Sequence, residues 1–358
     1  MTLGGTSHRR PDGRFRNPWP DAEPPPFSAL LKWNADRLRH GVPADPPPSV
    51  FVRRNPSFDS PRAPNEALTA TWVGHSTVLL QLGALNVLTD PMWSARASPL
   101  SFAGPRRWVP PGVPLDALPP IDVVLLSHNH YDHFDAPTIR ALAGRHPTAT
   151  WCVPLGLSGA LRKLGVREIR EFDWWESGTL TLPAGTLEVG CTPAQHFSAR
   201  TTWDRNATLW CGFAIVANGH RVYFAADTGY HPEFARIGER FGPFDLALMP
   251  VGAYEPRWFM RVVHMTPGEA LQALDELRRG AGASEVPCMV PIHWGTFKLT
   301  DEAMDEPPRR TRDEWARRGW PIERLWQLAH GETRRAGAAS SGWRGLPPPP
   351  PRPPPRSM

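Results

Sequence analysis

IDVVLLSHNHYDHFD, residues 121–135, decides how this chain is read. Its first six residues are apolar or β-branched apart from Asp122, the pattern of a short buried strand. Its last nine hold three histidines and two aspartates. His128 and His130 are two apart, so at a strand end they point to the same side and reach one ion. Asp132 and His133 lie beyond the strand, where the chain turns toward a helix predicted over 136–145. They point elsewhere and serve a second ion. Neutral imidazole and carboxylate suit zinc, and also manganese or iron. Leaving these side chains unpaired at one buried strand end would be costly, which favours a metal centre over a structural role.

Such a centre needs further ligands. Three candidates recur at strand ends: His196 in CTPAQHFS, Asp227 in FAADTGY and His293 in PIHWGTF. Each alone reads as an ordinary hydrogen-bonded residue. Together they complete two sites. His128, His130 and His196 take one ion; Asp132, His133 and His293 take the other; Asp227 bridges them. Asp90 in LTDP (88–91) fits one step further out, orienting a ligand histidine, although a turn role before Pro91 reads equally well.

Around this centre the chain alternates strand-like runs with a few helices. ALTATWVGHSTVLLQL, NVLTDP, WCVPLG, TLEVGCTPAQH, LWCGFAIVA, RVYFAAD, FDLALMPVG and VPCMVPIHWG all read as strands. PGEALQALDELRRG (267–280) reads as an amphipathic helix with Pro267 in its first turn. The expectation is a layered α/β domain over 66–333. Before it, 1–65 reads as an arm with a short amphipathic helix at 27–40, on Phe27, Leu30, Leu31 and Leu38. After it, 334–358 reads as a disordered, proline-rich tail of polyproline II character.

Composition narrows the function. The 358 residues carry a formal net charge of +5, and 41% are hydrophobic, enough for a substantial core. Only Lys32, Lys163 and Lys298 are lysines, the other basic residues being scattered arginines, so no nucleic-acid partner is expected. Cys152, Cys191, Cys211 and Cys288 form no CxxC pair and read as buried free thiols of a reducing compartment. With no apolar run at the N-terminus and no long apolar span, the expected location is cytoplasmic, with contact to a membrane only from its surface.

Beyond the ligand motif, the chain resembles the metallo-β-lactamase fold superfamily. Within it, the resemblance is to the N-acyl-phosphatidylethanolamine-hydrolysing phospholipases D. The stretches that carry it are GRFRNPWP (13–20), GHST (74–77), LTDP (88–91), LPPIDVVLLSHNHYDHFD (118–135), VPLGL (153–157) and DWWE (173–176). ADTGY (226–230), FGPFDLALMPVGAYEPRWFM (241–260), HMTPGEA (264–270) and IHWGTF (292–297) continue it. The resemblance implies a four-layer αβ/βα sandwich, two zinc ions between the sheets and a homodimer. No cysteine lies in a ligand motif, unlike in many β-lactamases.

The activity implied is a zinc-dependent phosphodiesterase of phospholipase D type. It would convert N-acyl-phosphatidylethanolamine, or a related phospholipid, to an N-acylethanolamine and phosphatidic acid through a metal-bridging hydroxide. Two divalent ions offset by Asp132, Asp227 and hydroxide leave about one positive charge, suited to a phosphodiester monoanion. A lactonase or a phosphodiesterase of soluble substrates would use the same ligands. The resemblance also places His264 beside the metals, as a contact to substrate phosphate or an aid to the leaving group; its other reading is a cap or core residue. Asp132 and His264 are therefore the candidate catalytic residues. Tyr254, Arg257, Trp258 and Phe259 are candidate substrate contacts in a loop facing lipid at a membrane surface.

Overall fold

Side chains alternate between two apolar layers along almost every central strand. A computed structural model, describing residues 7–26 and 28–336, shows where each layer goes. The first half runs α1 (Ala29–His40), β1 (Leu68–Gly74), β2 (Thr77–Leu82), β3 (Leu85–Thr89), β4 (Val123–Leu125), α2 (Ala136–Arg145), β5 (Thr150–Pro154), α3 (Ser158–Lys163), β6 (Ile169–Phe172) and β7 (Ser177–Leu182). The second runs β8 (Gly185–Thr192), β9 (Gly212–Ala217), β10 (His220–Phe224), α4 (Phe234–Phe241), β11 (Leu246–Pro250), α5 (Arg257–Met260), α6 (Pro267–Gly280), β12 (Cys288–Ile292), α7 (Glu306–Arg317) and β13 (Thr333–Arg335).

The strands form two sheets, ordered β13-β1-β2-β3-β4-β5-β6 and β12-β11-β10-β9-β8-β7. One set of alternating residues faces the other sheet. Leu80, Val123 and Leu125 meet Phe213, Ile215, Val222, Phe224, Leu246 and Leu248 there. The opposite set faces helices. Leu79, Val124 and Trp151 pack on Ile139, Leu142 and Leu161 of α2 and α3. Tyr223, Ala247 and Met249 pack on residues of α4, α6 and α7, including Phe234, Leu274 and Trp315. This is the expected four-layer αβ/βα sandwich. A period of two on strands covered on both faces produces it.

β3 through β6 pair in parallel, as do β10 through β12. Helices make the crossovers after β4, β5, β10 and β11, and the carboxyl ends of β3, β4, β10, β11 and β12 open to loops, where ligands bind in sheets of this kind.

Several sequence expectations need correction. The arm is not separate from the domain. Phe15 is buried in the inter-sheet core, His8 and Arg9 pair with Asp173, and Trp19 stacks on Trp174 and His231. In α1 the buried residue is Trp33, not Leu31 or Leu38, which are 76% and 90% exposed. Leu30 and Trp33 share the face against Met260 and Val263, while Leu31 and Leu38, seven apart, lie on another. Phe27 lies outside the described residues. At the other end the fold continues past 333, because β13 pairs with β1. Residues 337–358, most of the predicted tail, lie outside the described residues.

Candidate metal centre

Every predicted ligand, and Asp90 behind them, sits just beyond a strand's carboxyl end or on the loop that follows. Beyond β3 comes Asp90; beyond β4, His128, His130, Asp132 and His133; beyond β8, His196; beyond β10, Asp227; beyond β12, His293. The structure brings all of them together. His128, His130 and His196 form one group whose ligand atoms lie within 4.8 Å of one another. His75, Asp132, His133 and His293 form another to the same limit. Asp227 lies between them, its Oδ2 at 3.0 Å from His293 Nε2, 3.1 Å from His133 Nε2 and 3.8 Å from His196 Nε2.

Hydrogen bonds set which ring nitrogens are free. Ser127 donates its backbone N–H to Asp90 Oδ1 and its hydroxyl to Asp90 Oδ2, at 2.7 and 2.6 Å. The serine oxygen then accepts from His128 Nδ1–H at 2.8 Å, leaving a lone pair on His128 Nε2. His196 Nδ1 donates to the Val263 carbonyl at 3.0 Å, which leaves a lone pair on its Nε2. Both lone pairs converge on His130 Nδ1, at 2.9 and 3.1 Å. His133 Nδ1 donates to Asp90 Oδ2 at 2.6 Å, so Asp90 orients two ligand histidines rather than merely closing a turn.

Buried atoms without partners mark the same place. His133 Nε2, His293 Nε2 and Asp227 Oδ1 make no hydrogen bond, although carboxylate oxygens lie close to both nitrogens. Orphaned buried polar atoms are rare in native proteins. Lone pairs and carboxylates pointed at shared space are what divalent cations require. The donor set therefore fits two ions, His128, His130 and His196 for one and Asp132, His133 and His293 for the other, with Asp227 available to both.

Protonation agrees with this fit for the first group and for the carboxylates. Burial, reinforced by His133, His130 and His196, holds His128 well below the usual histidine value. Burial likewise lowers His130 to about 3 and His196 to about 4, so these ligands are neutral. Burial opposes ionisation of Asp132 and Asp227, but His133 overcomes it and keeps both well below the carboxylate range, with His293 adding to the effect on Asp227. The carboxylates in turn draw positive charge onto their partners. Asp227 overcomes burial to raise His293 to about 9, and Asp227 with Asp132 and Asp90 holds His133 well above the usual histidine value; a bound cation takes the place of those protons.

Two residues outside the predicted set belong to this centre. His75, in the GHST turn between β1 and β2, meets Asp132 Oδ2 through Nε2 at 2.9 Å. Its backbone has φ 55 and is held by Thr296 Oγ1, and its carbonyl accepts from His293 N. Asn17, in the N-terminal arm, donates to the His196 carbonyl at 3.0 Å and accepts from its N–H at 3.3 Å. GHST (74–77) and GRFRNPWP (13–20) contain them, but ligand spacing signals neither, because both reach the site from segments remote in sequence.

His264 stacks on His293 at 4.9 Å and lies 5.2 Å from His196. Its buried Nδ1 has no partner, and burial holds it well below the usual histidine value. The candidate substrate residues divide. Tyr254 is fully buried and donates its hydroxyl to Glu306 at 2.7 Å, so it is removed from the substrate surface. Arg257 pairs with Glu269 and donates to the His264 carbonyl, with its side chain still 27% exposed. Residues 257–260 form the helical turn α5 rather than an open loop. Phe259 packs with Trp33 and Met260, leaving Trp258 as the exposed aromatic, at 44%.

Comparison with known proteins agrees with this architecture. Residues 85–294 match the β-lactamase superfamily domain. The chain is 41% identical over 253 residues to N-acyl-phosphatidylethanolamine-hydrolyzing phospholipase D 1 of Caenorhabditis elegans, covering 69% of each chain. It is 46% identical over 246 residues to an uncharacterized protein of Mycobacterium tuberculosis, covering 68% of this chain and 63% of that one. In fold it is similar to an isothiocyanate hydrolase from Delia radicum gut bacteria, at a TM-score of 0.56 and 21% identity, covering 76% of this chain and all 100% of that one. With a ligand set on the strand ends and relatives of this kind, the chain belongs to the metallo-β-lactamase superfamily, among the relatives of the N-acyl-phosphatidylethanolamine-hydrolysing phospholipases D.

Proposed function

We propose that this hydrolase of the metallo-β-lactamase fold is a zinc-dependent phosphodiesterase of phospholipase D type. Its substrate is N-acyl-phosphatidylethanolamine or a related phospholipid, and its products are an N-acylethanolamine and phosphatidic acid. The observation that carries the reading is the pair of donor groups sharing buried Asp227. The similarity to the nematode phospholipase D supports the substrate class.

Bound here, divalent cations supply Lewis acidity toward a phosphoryl oxygen and lower the pKa of a water. The chain's own residues supply the rest. Asp90 fixes His128 through Ser127 and fixes His133 directly. His75 holds the Asp132 carboxylate. Neutral His264 offers an unpartnered Nδ1 to the substrate phosphate or to the departing ethanolamide oxygen. Water adds to phosphorus, the bond from phosphorus to that oxygen breaks, and the oxygen leaves with a proton.

A lipid must reach this centre from a membrane. No helix among the described residues is long and apolar enough to cross one. The apolar cluster of Trp33, Met260 and Val263 continues through Phe197 to His130, whose ring Phe197 meets at 4.4 Å. α1 carries exposed Leu31 and Leu38 on another face than the one seated on this cluster, and Lys32 lies over the Trp258 ring. We read α1 and α5 as the face that lies on lipid. A homodimer is a separate proposal, read by light scattering.

The deciding experiment is mass spectrometry of products from metal-analysed protein and N-acyl-phosphatidylethanolamine vesicles. N-acylethanolamine with phosphatidic acid, lost in Asp227→Asn, is the expected result. No product from protein carrying two metals overturns the lipid reading and favours a lactone or a soluble phosphodiester.

A further inference from the structure

The loop that carries three of the ligands has no regular secondary structure to hold it. Asn129 to Phe134 leaves β4 and includes His130, Asp132 and His133 before α2 begins. Within it, His133 and Phe134 both donate backbone N–H groups to the His130 carbonyl. That turn shapes the loop but does not attach it to the rest of the molecule.

Asp90 and His75 hold two of the loop's side chains, and Arg200 attaches its backbone. Arg200 Nη1 donates to the Asn129 carbonyl at 2.8 Å and to the Phe134 carbonyl at 2.9 Å. One guanidinium nitrogen thus ties together the two ends of the ligand-bearing segment. The same group lies over the Tyr131 ring at 3.8 Å and the Phe134 ring at 4.8 Å. Tyr131 completes the arrangement by donating its hydroxyl to the Arg200 carbonyl at 3.0 Å. Arg200 is itself fixed, since Asp204 accepts from its backbone N–H at 2.9 Å and from that of Thr201 at 2.7 Å. No carboxylate pairs with its guanidinium among the described residues, so its hydrogen bonds and ring contacts there go to the loop.

We propose that Arg200 is a positioning residue of the metal centre, acting on the backbone of the ligand-bearing loop. It sets the spacing of His130, Asp132 and His133 by bridging the carbonyls on either side of them. Lysine cannot reproduce this, because it lacks the planar group that stacks on Tyr131 while reaching two acceptors. Arg200 also lies four residues beyond His196, so one strand-to-strand connection delivers a ligand to the first group and braces the ligands of the second. A change at Arg200 should therefore disturb both ions together.

The proposal rests on the reading of the cluster as a two-metal centre, and its test separates the two. Wild type, Arg200→Met, Arg200→Lys and Tyr131→Phe are titrated with Co²⁺ against a chromophoric chelator, recording the visible cobalt bands. Arg140→Met, an exposed arginine of α2, controls for loss of charge. Failure of wild type to bind Co²⁺ overturns the metal reading itself. With wild type binding two ions, the expected result is a 10- to 100-fold weaker affinity in Arg200→Met with altered bands, the range typical for residues that support ligands. Partial recovery is expected in Arg200→Lys, a smaller effect in Tyr131→Phe and none in Arg140→Met. Wild-type affinity and bands in Arg200→Met, or in Arg200→Lys and Tyr131→Phe should Arg200→Met not fold, overturn the proposal. So does a loss of metal-free thermal stability with unchanged bands, which assigns Arg200 to folding alone.

Discussion

At the scale of single residues, the centre is built by saturating hydrogen bonds until only lone pairs remain. Asp90 is the plainest case. Its two oxygens accept from Ser127 N–H, the Ser127 hydroxyl and His133 Nδ1–H, and through them it decides which face of two imidazoles stays free. His75 works the same way on Asp132. Removing it leaves that carboxylate without its hydrogen-bonded partner, yet removes none of the seven predicted ligands. His75→Ala should lower turnover by roughly 10- to 100-fold. Metal stoichiometry should fall selectively at the site holding Asp132, while His75→Gln, which keeps a donor, recovers part of the loss. Inductively coupled plasma mass spectrometry beside steady-state rates checks this. Full stoichiometry and full rate in His75→Ala would leave His75 as packing against Phe297.

At the scale of elements, α6 shows how a helix start serves the site. Thr266 caps it, and Glu269 returns the bond in a capping box with Pro267 between them. Glu269 also takes both hydrogen bonds from Arg257 Nη2, while Arg257 Nη1 holds the His264 carbonyl. The box therefore anchors α5, α6 and His264 together. Glu269→Ala should cost about 1–2 kcal/mol of stability, as loss of a cap does. It should also lower turnover by releasing His264, with metal content unchanged. A thermal melt and metal analysis on the same preparation read both parts, and a melt that moves without any change in rate would separate the cap from the site. The period-two strands and α6 were legible because burial on one or both faces writes apolar residues at fixed spacing. β13, TRR, and α7, EPPRRTRDEWAR, were not legible. β13 is an edge strand held by pairing to β1, and α7 buries only Pro307, Thr311 and Trp315. Neither presents an apolar period to read.

At the scale of the whole molecule, three of the exposed large apolar residues lie on α1 and α5, the two elements read as facing lipid. Leu31 and Leu38 are exposed on α1, and Trp258 is exposed on α5, which packs against α1 through Phe259 and Trp33. Monomeric proteins seldom leave such patches without use. Trp258→Asp with Leu38→Asp should weaken sedimentation with phospholipid vesicles and spare hydrolysis of a soluble phosphodiester. Phe259 is the wrong residue for this test, because its ring is part of the cluster that seats α1. Equal loss on both substrates would place the pair in the fold rather than on the membrane face.

The sequence by itself determined the layers and named the side chains that the structure gathers as candidate ligands. HxHxDH after a buried strand, with His196, Asp227 and His293 at other strand ends, is local information, because each ligand is specified by its position relative to its own strand. The tertiary structure alone decided what surrounds them. His75, Asn17 and Arg200 reach the centre from a turn, an arm and a connecting loop, by contacts between residues 57, 179 and 66 to 71 positions apart. It also buried Tyr254 and gave the polar atoms of Tyr254 and Arg257 partners on other elements. A strand's period records which face is buried, but not which distant carbonyl or carboxylate is waiting there when the sheets close.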